Sequence, residues 1–160
     1  MSNLSYTQII NFWIPDEKYH QKWFKPNPKF DKYIYDNYNK YIDYFLNKSE
    51  YIFANEILSG IIVLDQFSRN IGRIKLLEYN KEQLNRKATS LSIKWIEKNY
   101  YITEPISYTI FALMPLRHTF QLKYYKVLIN ILEEIKEIYI TNKVFSKFYF
   151  HTYRCYKSLL

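Results

Sequence analysis

Residues 57 to 73 read Ile57-Leu58-Ser59-Gly60-Ile61-Ile62-Val63-Leu64-Asp65-Gln66-Phe67-Ser68-Arg69-Asn70-Ile71-Gly72-Arg73, an uncharged run that passes directly into a cluster of polar groups. The run lacks the apolar-polar alternation of a half-buried strand, and the spacing predicts a helix over Tyr51 to Asn70. On such a helix, residues three and four apart share a face. Asp65 then lies against Arg69, Gln66 against Arg69 and Asn70, and Arg69 against Arg73. Gly60 inside the helix costs about 1 kcal/mol relative to alanine, which marks it as a point where two helix axes approach closely. Gly72 stands where a carboxy-terminal cap is expected.

Outward from this stretch the same period recurs. Ile34, Tyr38, Tyr41, Ile42 and Phe45 form one apolar stripe, with Asp31, Lys32, Asp36, Lys40 and Asp43 off it, and this predicts a long amphipathic helix from Phe30 to about Leu46. Asn47 to Glu50 reads as the turn between it and the central helix. Before it, Ile9, Ile10, Trp13 and Ile14 make a short first helix that Pro15 stops. Asp16 to Lys29 is a connecting loop with a short helix inside, its second half extended by Pro26 and Pro28. After it, Asn80 with Gln83 signals a helix start, and that helix runs to about Lys98. Thr103, Glu104 and Pro105 signal another start, and Pro115 predicts that this helix ends or kinks near Met114. Leu122 to Ile140 and Val144 to Tyr156 complete an antiparallel array of about six or seven helices.

Composition agrees with an all-α chain. Only two glycines stand among 160 residues, too few for a fold of many tight hairpins. With 48% hydrophobic residues the chain builds one well-buried core, so residues 1–160 are expected to form a single domain. The net charge of +8 would ordinarily suggest a nucleic acid or anionic surface as partner. Five arginines against eighteen lysines, with abundant Asn, Ile, Tyr and Phe, fit an A/T-biased genome instead. The lysines are also scattered and form no dense block.

Cys155 is the only cysteine, which excludes an intramolecular disulfide and a cysteine-based zinc site within the chain. A reducing, cytoplasmic location is expected. Met1 to Thr7 is polar and uncharged, unlike a secretory signal. The longest uncharged apolar run, Ile57 to Leu64, falls far below the ~20 residues of a membrane span, so no membrane partner is expected.

Two segments resemble the domain of unknown function family 924, bacterial proteins with a tetratricopeptide-repeat-like helical fold. They are Leu64-Asp65-Gln66-Phe67-Ser68-Arg69-Asn70 and Phe111-Ala112-Leu113-Met114-Pro115-Leu116-Arg117-His118-Thr119. The family usually has proline where Ser68 stands and glutamate where Arg117 stands. Asn11-Phe12-Trp13, Trp23-Phe24 and Phe30-Asp31 resemble its opening, and Phe145 to Arg154 matches its carboxy-terminal segment loosely. The resemblance implies the helical fold and leaves the activity open.

The candidate ligand-binding residues are Asp65, Gln66, Arg69, Asn70, Arg73 and His118, gathered around a small anionic ligand if the two resembling segments face one another. The plainer alternative is an interhelical network in which these groups satisfy each other, because a buried polar group without a partner costs roughly 1 to 3 kcal/mol. The same residues serve both readings if one edge of Arg69 is occupied and the other open. His118 is the candidate acid or base should there be catalysis, against the commoner role of a packing histidine near a helix end. His20 and His151 complete no metal triad, so no metal or cofactor is expected. His151 and Cys155 are spaced i, i+4, a pair that suits a thiolate nucleophile but is more often packing. A helical-repeat module holding a protein or peptide is the alternative function, and nucleic-acid binding a third. For the third, aromatic residues interleaved with lysine from Lys29 to Lys48 offer stacking faces.

Overall fold

A computed structural model describes residues 3–76 and 78–160, with side chains from residue 5. Met1 and Ser2, part of the polar amino-terminal stretch, lie outside the described residues. Among the described residues there are nine helices and no strand. The first three are α1 (Asn3–Trp13), α2 (Pro28–Tyr38) and α3 (Tyr41–Asn47). Helix α4 is continuous through three parts, Ala54–Ile61, Ile62–Phe67 and Ser68–Gly72. There follow α5 (Lys81–Glu97), α6 (Tyr100–Thr103), α7 (Ile106–His118), α8 (Leu122–Tyr139) and α9 (Lys143–Ser158).

Helices α4 and α7 are the centre of the packing. Every residue from Ile57 to Ser68 is buried, as is every residue from Thr109 to Leu116, so both helices are covered on all sides. Helices α1, α2, α3, α5 and α7 pack on α4, and α8 and α9 close the other side of α7. Gly60 sits at the α4–α5 contact. A Cβ there would come 2.9 Å from Tyr51, 3.1 Å from Leu91 and 3.2 Å from Phe45, so the close approach read from the sequence is real.

The expected count of six or seven helices is too low, for identifiable local reasons. The long helix over Phe30–Leu46 is two helices, broken at Asn39 and Lys40, where Ile42 N–H turns back to the Asn39 carbonyl at 3.2 Å. The break lets α2 pack on the end of α4 while α3 packs on its middle. Pro28 does not extend the loop but opens α2, because Asn27 Oδ1 accepts the Lys29 and Phe30 N–H groups at 3.1 and 3.2 Å. Thr103 is not a cap. It closes the one-turn α6, Pro105 precedes α7, and Glu17 of the α1–α2 loop accepts the Ser107 N–H at 3.1 Å.

Pro115 neither ends nor breaks α7, which runs on to His118. Two carbonyls of this helix are tied to neighbouring helices: Ser92 Oγ of α5 donates to the Ala112 carbonyl, and Tyr125 Oη of α8 donates to Arg117 O at 2.7 Å. Gly72 is not a left-handed cap, since among the described residues only Asn99 (59°) and Phe120 (51°) have positive φ. The Asn80 cap is as read, its Oδ1 accepting from Glu82 and Gln83 at 2.9 and 3.3 Å.

Candidate functional site

The polar cluster begins where α4 loosens. From Ile62 to Phe67 the helix widens to a π turn, in which the Ser68 N–H reaches back five residues to the Val63 carbonyl. Such wide turns free carbonyls and re-aim side chains, and they concentrate at functional sites. Here Ser68 Oγ takes up two of those carbonyls, at 2.6 Å from Leu64 O and 3.2 Å from Asp65 O. The widened turn holds Asp65 in the interior, with 1% of its side chain exposed.

Asp65 is satisfied from three directions. His118 Nδ1 lies 2.9 and 3.1 Å from its two oxygens, Gln66 Nε2 donates at 2.9 Å, and Arg69 Nη2 stands at 3.7 Å. Burial by itself would raise this carboxyl's pKa. The charge and hydrogen bond of His118, with Arg69 and Gln66, outweigh it and hold Asp65 below the usual carboxylate range. An ionised carboxylate only accepts, so the proton on that edge of the imidazole sits on Nδ1. Nε2 has no partner among the described residues.

A second buried acid anchors the rest. Asp31 on α2, 2% exposed, accepts from Asn70 Nδ2 at 2.8 Å and in two-pronged fashion from Arg73 Nε and Nη2 at 2.9 and 2.7 Å. Two hollows border these groups. A groove of about 290 Å3 is walled by Arg69, Arg73, Lys81 and Asn85, with no carboxylate among its lining residues. A hollow of about 490 Å3 is walled by Asp65, Glu82, His118, Asn85, Arg86 and Lys123 among others. Asn85 borders both.

The family model of bacterial proteins of unknown function, DUF924, matches residues 9–154. The chain belongs to this family. A protein of unknown function from Agrobacterium tumefaciens has the same fold, with a TM-score of 0.69 at 16% identity over 98% of this chain and 82% of that one. No curated protein matches.

In this DUF924 protein the six residues singled out by sequence are distributed as follows. Arg69 and Arg73 line the groove, Asp65 and His118 line the hollow, and Gln66 and Asn70 border neither, each donating instead to a buried carboxylate. Asp31, Lys81 and Asn85 were not anticipated. Asp31 was placed off the apolar stripe, yet it lies three residues before Ile34 and therefore on the same face, a spacing that signals a buried acid. Lys81 and Asn85 come from α5, and nothing in their spacing connects them to α4. Among the described residues no three His, Cys, Asp or Glu side chains gather as metal ligands, and no helix is long and apolar enough to cross a membrane.

Proposed function

We propose that this protein binds a small anionic molecule in the groove bordered by Arg69, Arg73 and Lys81, with the remainder of the ligand reaching past Asn85 to His118. One observation carries the reading: three cations converge on a groove without a carboxylate in its wall, while the acids that hold two of them stand behind. A guanidinium fixed along one edge by a carboxylate is oriented and still has outward N–H donors for phosphate or carboxylate. The side chains of Arg69 and Arg73 are 44% and 41% exposed, so those donors meet solvent. His118, with Nδ1 committed to Asp65, is the group to give or take a proton at Nε2 if the bound molecule is transformed.

The test is a thermal-shift screen of phosphate and carboxylate compounds against the purified protein and its Arg69→Ala variant. A compound that raises the melting temperature of the parent and not of the variant supports the proposal. No shift with any compound in a broad panel overturns it.

Two further readings draw on single features. The succession of α7, α8 and α9, each packed on the next, suits a tetratricopeptide-like module with a peptide partner. A pull-down without a specific partner, alongside a metabolite retained in native mass spectrometry, decides against it. The net charge of +8 favours nucleic acid, which requires affinity that falls steeply with salt. The lone Cys155 fits a reducing compartment.

A further inference from the structure

A different cavity, between α7, α9 and the loop ahead of α2, has no part in the site above. It holds about 500 Å3, and its charged wall consists of Arg117, Lys147, His151 and Arg154, with no acidic residue among its lining. Arg117 is the group that needs explanation. It is adjacent in sequence to His118 but faces the other way, with its guanidinium over the Phe148 ring at 4.8 Å from the centroid. Among the described residues its side chain has no ion pair and no hydrogen bond. Burial lowers its pKa and outweighs the opposing influence of Tyr125, Cys155 and Asp65. A desolvated cation without a counter-ion is a costly arrangement that an anion would relieve.

The neighbours sharpen the picture. His151 is pushed toward its neutral form by burial and then by Arg117, Arg154 and His118, so the cavity carries an uncompensated positive field. Its rim is aromatic and open: Phe24 is 49% and Phe150 58% exposed, and Tyr19 lies beneath Lys147 at 4.9 Å. Large exposed rings beside a basic cavity favour a ligand with a flat apolar body as well as charge.

We infer that this cavity binds a small molecule with an anionic head and a flat aromatic body, its head on Arg117 and its body against Phe24 and Phe150. The two halves of the site require both parts of the ligand. Cation alone would hold inorganic phosphate just as well, and rings alone would hold a neutral arene.

The experiment is isothermal titration of the full chain with 1-naphthyl phosphate, inorganic phosphate and 1-naphthol. Naphthyl phosphate is expected to bind at least about tenfold more tightly than either of the others. Arg117→Met, which keeps the side chain's bulk and removes its charge, should weaken it by about tenfold or more. The exposed pair Lys147→Ala with Arg154→Ala, which leaves the core untouched, should weaken it too. In Arg69→Ala the binding that Arg117→Met weakens should persist, which separates this cavity from the groove of the proposed function. In the parent, the His151 ring signals followed by NMR should titrate at higher pH once the anion is bound. Absence of binding at millimolar naphthyl phosphate, equal affinity for inorganic phosphate, or affinity indifferent to both sets of variants overturns the inference.

Discussion

Replacing Asp31 with alanine tests whether Arg73 and Asn70 are held from behind by a structural anchor. The carboxylate accepts three hydrogen bonds, at 2.8, 2.9 and 2.7 Å, two of them from a charged donor. Asn70 is 3% exposed, so its amide has no water to turn to and loses a partner outright, which costs about 1 to 3 kcal/mol. Arg73 is 41% exposed and recovers hydration, so its share is discounted to about 1 kcal/mol. The sum is about 3 kcal/mol, and for a chain of this length it lowers the melting temperature by roughly 6 to 12 °C. Chemical denaturation of the parent, Asp31→Ala, Arg73→Ala and the double variant gives the coupling directly. A coupling near 1 kcal/mol is expected between Asp31 and Arg73. A loss below about 1 kcal/mol in Asp31→Ala, or no coupling at all, would mean that the pair does not hold the groove wall, and the oriented-guanidinium argument fails with it.

Three other outcomes follow from the same geometry. Asp65 is ionised in the folded protein with its pKa below the unfolded value, so its stabilisation is present above that value and is lost as pH falls through the folded pKa; Asp65→Asn should cost about 2 kcal/mol at neutral pH and flatten the acid limb of a stability profile measured by denaturant titration. Gly60→Ala gains about 1 kcal/mol of helix propensity but drives a methyl to 2.9 Å from the Tyr51 ring, which its hydroxyl ties to Phe45 O at 2.6 Å. Overpacking of about 2 kcal/mol should leave it less stable by about 1 kcal/mol in equilibrium unfolding, and a more stable variant would show that the α4–α5 seam yields freely. Phe120→Asn should stabilise by about 0.5 to 1 kcal/mol, because Phe120 holds a φ of 51° with 63% of its surface exposed; a lower melting temperature would show that its ring does more than the angle costs.

What the sequence conveyed well was whatever depends on neighbours along the chain. Asn80 as a cap, the extents of α5, α8 and α9, and the i, i+4 approach of Asp65 to Arg69 at 3.7 Å are local, and period and capping chemistry reveal them. The misreadings arose where a distant segment decides. Pro115 inside a helix reads as a stop, yet α7 continues through it to His118, packed between α4, α5, α8 and α9. Asn39 and Lys40 read as an ordinary polar turn of a long helix until the two halves find different parts of α4 to cover. Spacing puts Arg73 on Arg69's face, and both do line one groove, but the carboxylate that fixes Arg73 comes from α2, 42 residues earlier. A π turn leaves no periodic signature, so the burial of Asp65 and Gln66 together was not legible.

That π turn connects the fold to the site. The helix is covered on every side through Ile62–Phe67, so the adjacent Asp65 and Gln66 both lie in the interior. Within the π turn Gln66 donates to Asp65 at 2.9 Å, while Phe67, fully buried, packs edge-on against Trp13 at 5.7 Å between ring centroids. Ser68 Oγ donates to both the Leu64 and the Asp65 carbonyls of this turn. The buried charge selects its partners: an acid sealed in the core must be paired, and His118 and Arg69 are the groups within reach. The orientation of both is therefore a consequence of core packing, with one edge of each spent on Asp65 and the other edge left for whatever enters from solvent.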